Sequence, residues 1–150
     1  MPGKKPQKFF IRIQRIPLND WILFAEAFFL LLLWRFITAL APLRCYSRYL
    51  GIPQKDYSSI EMPFTDIVGR IYIAVRRAKK YSFLPVKCLT EAITVKRMLL
   101  RRGIPSALYL GLSHEKNNHR LKAHAWIRYG NQVLTGRRGH EKFTIVSIFV

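Results

Sequence analysis

Cys88 and His124 are the side chains whose type and setting point most directly to covalent chemistry. Cys88 lies in Pro85-Val86-Lys87-Cys88-Leu89, where an apolar helical pattern begins. His124 lies in Ala123-His124-Ala125-Trp126, inside a stretch that alternates like a strand. A thiolate can attack a carbonyl carbon, and an imidazole can take the thiol proton and later deliver it to the leaving group. Free N–H groups and the dipole at a helix start favour the thiolate, and Lys87 acts in the same direction. The commonplace alternative for Cys88 is an inert cysteine packed in a core. For His124 it is a hydrogen-bonded ring on a half-exposed sheet face. The two are 36 residues apart, room for one helix, a turn, a strand and a loop.

The elements that must position them are legible from periodicity. From Leu89 to Arg102, Leu89, Ala92, Val95 and Leu99 form an apolar stripe joined by Ile93 and Leu100, with Thr90, Thr94, Arg97 and Arg101 expected on the opposite face. Gly103 and Pro105 stop that helix. Ser106 to Leu112 is strand-like, and Ser113 to Arg120 reads as a polar loop. In Leu121 to Tyr129, His124 and Trp126 fall on the face opposite Ala123, Ala125 and Ile127. Gly130-Asn131 is a hairpin turn into Gln132 to Thr135, and Phe143 to Val150 should be a well-buried last strand. Upstream, a helix capped by Asn19 or Asp20 runs to about Ala41, a helical piece covers Leu43 to Leu50, and Gln54 to Pro63 is a loop. Thr65 to Lys80 is an amphipathic helix with Ile67, Ile71, Ala74, Val75 and Ala78 on its apolar face. The expected fold class is α+β: a helical N-terminal half, then a Cys-bearing helix on a small antiparallel sheet. One compact domain is expected, with a basic tail and arm over residues 1–20, a helical part over 21–85 and a catalytic core over 86–150.

Lys and Arg number 26 against 8 acids, a net charge of +18, which implies an acidic partner: nucleic acid, anionic lipid, or an acidic peptide or protein. The chain carries no helix-turn-helix, RNA-binding sheet or zinc-finger pattern, which argues against nucleic acid. Cys45 and Cys88 differ in context, so a disulfide framework is not expected, and a reducing cytosol is the simpler compartment. Cys45, among Arg44, Tyr46 and Arg48, reads as structural. The cysteines and histidines lack metal-ligand spacing, and no metal or cofactor is expected. Trp21 to Leu43 is mostly apolar, but Glu26 and Arg35 interrupt it. It reads as a buried or partner-facing helix rather than a span, with membrane-surface contact through 21–43 an open alternative.

A cysteine opening a helix, followed by a histidine on a later strand, is the chain order of papain-like and transglutaminase-like enzymes. More closely, residues from about Trp21 to Val150 resemble the B protein of lasso-peptide biosynthesis, in the version lacking a fused leader-recognition domain. The matching blocks are Lys87-Cys88-Leu89-Thr90-Glu91-Ala92, Met98-Leu99-Leu100-Arg101-Arg102-Gly103-Ile104-Pro105, Leu108-Tyr109-Leu110-Gly111-Leu112 and Lys122-Ala123-His124-Ala125-Trp126-Ile127. The resemblance implies a transglutaminase-like cysteine peptidase of the cytoplasm with Cys88 as nucleophile and His124 as base and then acid. It would remove the leader from a ribosomally made precursor peptide. It implies two protein partners: a small separate leader-recognition protein and an ATP-using macrolactam cyclase that closes the ring afterwards. Family members commonly carry an Asp on the strand after the histidine. Here the position facing His124 falls near Thr135, Gly136 or Arg137, and the only later acid is Glu141. Glu141, Thr135 or a backbone carbonyl would orient the imidazole, or the Cys-His pair works alone. The missing Asp supports an alternative reading, a non-catalytic peptidase-like scaffold in the same complex. A third reading is a basic protein that binds membrane surfaces or nucleic acid.

Overall fold

A computed structural model of the chain describes residues 17–55, 57, 62–114 and 121–150. The tail and arm expected over residues 1–16, part of the 54–63 loop, and most of the 113–120 loop lie outside the described residues. Helix α1 spans Leu18–Leu40, α2 Leu43–Tyr46 with a 3₁₀ turn at Ser47–Tyr49, α3 Asp66–Tyr81 and α4 Cys88–Leu100. The strands are β1 Pro53–Gln54, β2 Ala107–His114, β3 Leu121–Tyr129, β4 Gln132–Thr135 and β5 Thr144–Phe149. They form one antiparallel sheet in the order β1-β5-β2-β3-β4. The fold is α+β, helices first and the small sheet after, as the periodicities imply.

Helix α4 is the centre of the core, because it has apolar neighbours on two sides. It packs on α1 and α3, and also on β2, β3 and β4. A helix covered from both sides must be buried nearly all round. Two expectations fail here for that reason. Thr90 and Thr94 are fully buried rather than solvated, and Leu100 is half exposed rather than part of the core. The buried hydroxyls are satisfied: Thr94 Oγ1 donates to the Thr90 carbonyl at 2.8 Å, and the Thr38 and Thr90 hydroxyls meet at 3.3 Å.

Polar contacts at its two ends lay α1 antiparallel along α4. Thr38 meets Thr90 near the start of α4, while Glu26 takes Arg102 Nη2 at 2.6 Å and Arg101 Nη1 at 3.3 Å just past its end. Burial pushes the Glu26 carboxyl up, but Arg102 and Arg101 outweigh it and hold the group below its ordinary value. No side chain caps α1: Pro17 occupies the cap, and Asp20 instead accepts Arg70 Nε at 2.8 Å from α3.

The sheet divides the apolar residues into two clusters. Ala125, Ile127 and Tyr129 of β3 join Leu108, Leu134 and Phe149 beneath the helices. On the other face, Tyr109, Trp126 and Ile148 form a smaller cluster closed by Phe143 and Val133. The last strand is less buried than expected. Only Ile148 and Phe149 are inside, whereas Thr144, Ile145 and Val146 are exposed. That first half of β5 pairs with Gly111 and Leu112, towards the exposed end of β2 at His114.

Candidate functional site

Cys88 is the first residue of α4. Lys87 before it is extended and supplies no side-chain cap, so the opening N–H groups of α4 are not taken by a capping side chain. The approach is held from α1, where Arg35 Nε donates to the Pro85 carbonyl at 2.9 Å. Glu91, one turn further along, would oppose a thiolate, but Lys79 Nζ sits 2.5 Å from its carboxylate and offsets it. The thiol itself is half-buried against the larger cluster. Cys45, read as structural, is instead exposed on the short α2.

His124 is held on three sides. Its Nε2 lies 2.8 Å from the Gly136 carbonyl oxygen. Trp126 stacks on the ring at 5.8 Å between centroids, and Phe143 lies at 5.0 Å. A carbonyl only accepts, so the neutral ring carries its proton on Nε2 and leaves the Nδ1 lone pair free to act as a base. Glycine is required at the carbonyl. Gly136 has φ +69°, and a Cβ there would come within 2.6 Å of the Ala125 oxygen and 3.0 Å of His124 Nε2. Gly111, opposite His124 in the register, is needed for a different reason: a Cβ there would sit 2.9 Å from the Trp126 ring and 2.8 Å from Phe143 Cβ.

Of the three groups expected to orient the imidazole, a backbone carbonyl does so, and the two side chains do not touch it. Thr135 pairs with Ile127 in the ladder, and its Oγ1 is buried with no partner among the described residues. Glu141 lies on a 3₁₀ turn, with its carboxylate 3.7 Å from His140 Nδ1 rather than at His124. The register explains both corrections. A bulge at Leu134 shifts the ladder, so β4 ends at Thr135 and the next carbonyl turns in towards His124. A main-chain acceptor leaves no side-chain signal; the one cue in the sequence is the glycine directly after the strand.

Helix α4 packs across β3, but Cys88 and His124 are not in contact by hydrogen bond. Cys88 belongs to the cluster under the helices, whereas His124 lies with Trp126 and Phe143 on the other side of the strand. Beside the start of α4 is a shallow surface cavity of about 520 Å³ lined by Ile73, Arg76, Arg77, Lys79, Lys80 and Glu91. Among the described residues, no group of three His, Cys, Asp or Glu side chains could hold a metal ion.

The description of the transglutaminase-like superfamily matches residues 29–147, more than half of the chain. The chain belongs to the transglutaminase-like superfamily. No curated protein and no solved structure matches it. The matched segment of this transglutaminase-like chain runs from the middle of α1 into β5 and so takes in Cys88, His124 and Gly136. One ionisable residue that periodicity placed nowhere is also inside it. Lys96 of α4 is 2% exposed, and its ammonium donates to the Ser106 carbonyl.

Proposed function

We propose that this transglutaminase-like chain is a cysteine peptidase that removes the leader from a ribosomally made, lasso-type precursor peptide. The observation that carries the reading is the bond between His124 Nε2 and the Gly136 carbonyl. It fixes the tautomer in which Nδ1 is the basic nitrogen, on a strand against which the helix bearing Cys88 packs. In the proposed reaction Nδ1 takes the thiol proton, and Sγ attacks the carbonyl carbon at the leader-core junction. The C–N bond breaks, the imidazolium gives its proton to the departing core amine, and the leader is left as a thioester on Cys88. Water, deprotonated by Nδ1, then releases the leader as a carboxylate and restores the thiol. The freed amine is the group a separate cyclase would use. The cationic groove at Arg76, Arg77 and Lys80 suits an acidic stretch of leader, delivered by a small recognition protein.

A second reading has its own support. No hydrogen bond joins Cys88 to His124, and among the described residues no carboxylate touches the ring, which favours a peptidase-like scaffold without turnover. Catalytic contacts are often long before substrate binds and tighten only in the complex. The test uses the chain with precursor and recognition protein, with leader release followed by mass spectrometry. Cys88→Ala and His124→Ala should each lower release by at least about 10³-fold, while Glu141→Gln and Thr135→Val stay within about threefold. A bifunctional ketone such as 1,3-dibromoacetone should bridge Cys88 to His124 in the wild-type chain. Full turnover in folded Cys88→Ala ends the peptidase reading. Absence of both turnover and bridging in the wild type establishes the scaffold.

A further inference from the structure

The outward face of α1 carries the largest group of exposed apolar side chains on the described surface. Leu18, Ile22, Phe29, Leu33, Phe36 and Leu40 are spaced three, four or seven residues apart and so share one face of the helix. Their exposure runs from 53% for Leu33 to 84% for Leu40. Twenty-three residues make a helix about 34 Å long. An apolar face of this length is well beyond the scattered hydrophobics that soluble surfaces tolerate.

By length and composition alone α1 could cross a bilayer. Its inner face argues otherwise. Leu23, Ala27, Leu30, Leu31 and Trp34 are in the core, and Asp20 and Glu26 are tied to Arg70 and to Arg101 and Arg102. A span would strip all of these contacts and carry the charges into hydrocarbon. The same pairs mean that both carboxylates of α1 are already neutralised, so none opposes an anionic surface. Guanidinium groups border the stripe on one edge, where Arg101 and Arg102 meet Glu26. Exposed Arg44 and Arg48 follow its C-terminal end. In a chain of net charge +18, a second copy on this face would set these arginines against one another.

We propose that α1 docks lengthwise on an anionic lipid surface, with its outer apolar face immersed at the headgroup boundary and its inner face still packed on α3 and α4. The apolar stripe supplies insertion, and the bordering arginines meet the lipid phosphates. This is independent of whether Cys88 is catalytic.

Trp21 provides the readout, because Trp34 and Trp126 are buried and Trp21 is exposed at the edge of the stripe. The full chain is titrated with vesicles of phosphatidylcholine alone and of phosphatidylcholine mixed with phosphatidylglycerol, following tryptophan emission and co-sedimentation. The mixed vesicles should bind at least about tenfold more tightly and shift the emission to the blue. Phe29→Ser with Phe36→Ser keeps the charge and leaves the core untouched, and should lose that binding while circular dichroism stays native. Unchanged binding in this variant overturns the proposal, since charge alone would then suffice. So does absent vesicle binding together with a dimer in light scattering that the variant dissolves, or retention of the chain after an alkaline wash, the mark of a span.

Discussion

At His124 the chain places a main-chain carbonyl, not a carboxylate of the described residues, on the imidazole. A carbonyl dipole fixes the tautomer as well as a carboxylate does, but stabilises imidazolium less, so a working Cys-His pair here is expected to be slower rather than dead. A second residue pays a clearer electrostatic penalty. Lys96 is buried with a single carbonyl partner, and burial lowers its pKa from 10.5 to about 8. Below about pH 8 the folded chain must hold a buried cation that the unfolded chain holds in water, and the penalty is fully present. Between about 8 and 10.5 the folded state binds fewer protons than the unfolded one, so stability rises with pH. At about 1.4 kcal/mol per pH unit, this group's contribution over the whole window is on the order of 3 kcal/mol. Tyr46, raised by burial, pulls the other way only above about pH 10, near its ordinary value. Urea unfolding should therefore give a higher stability at pH 9.5 than at 7.5 in the wild type and a flat profile over that range in Lys96→Met. A wild-type stability that falls between those values would show that the lysine is hydrated in the folded chain.

At the scale of elements, β3 and β4 are the most legible parts of the chain. Leu121 to Tyr129 alternates because the helices bury one face and only Trp126 fully closes the other, and the observed β3 has those bounds. The Gly130-Asn131 turn and β4 follow for the same reason. The helix α4 was legible in extent but not in orientation. Periodicity looks for one apolar stripe, and a helix between two layers is buried nearly all round, so Thr90 and Thr94 lie inside where a single stripe predicts water, with Thr38 of α1 on Thr90. A backbone carbonyl near Thr135 to Arg137 is one of the three groups the sequence allows on the imidazole, but which of the three does so depends on the bulge at Leu134, and that leaves no mark in the pattern. That corner makes a sharp prediction. In Gly136→Ala the added methyl group meets the Ala125 oxygen at 2.6 Å with φ at +69°, so the β4 end must move. The expected cost is about 1–3 kcal/mol of stability. The proposed leader removal should fall by more than the folded fraction does, because the carbonyl leaves His124. Activity that merely tracks the folded fraction would make the Gly136 contact structural.

At the scale of the whole molecule, the helical half and the sheet half are not separable pieces. The sheet buries one face on α4, and α4 buries its other side on α1 and α3, so removing the outer layer exposes the inner one. Trp34 shows the dependence most directly. It is 6% exposed on α1, and its ring meets Tyr46 edge-on at 6.1 Å. The family match begins at residue 29, inside α1, yet Leu23 and Ala27 before that point are as much a part of the core as Leu31 after it. A chain starting at Pro42 is therefore expected not to fold cooperatively, since it loses five buried side chains of α1 together with the Glu26 and Thr38 contacts to α4. Circular dichroism and urea titration would show a sloping, non-cooperative loss of signal. Because a deletion can fail for trivial reasons, Trp34→Ala in the full chain provides the graded version. It should cost about 3–5 kcal/mol and keep a cooperative transition. A deletion variant that unfolds as cooperatively as the full chain, or a Trp34→Ala cost below about 1 kcal/mol, would make α1 an appendage on an independently folding core.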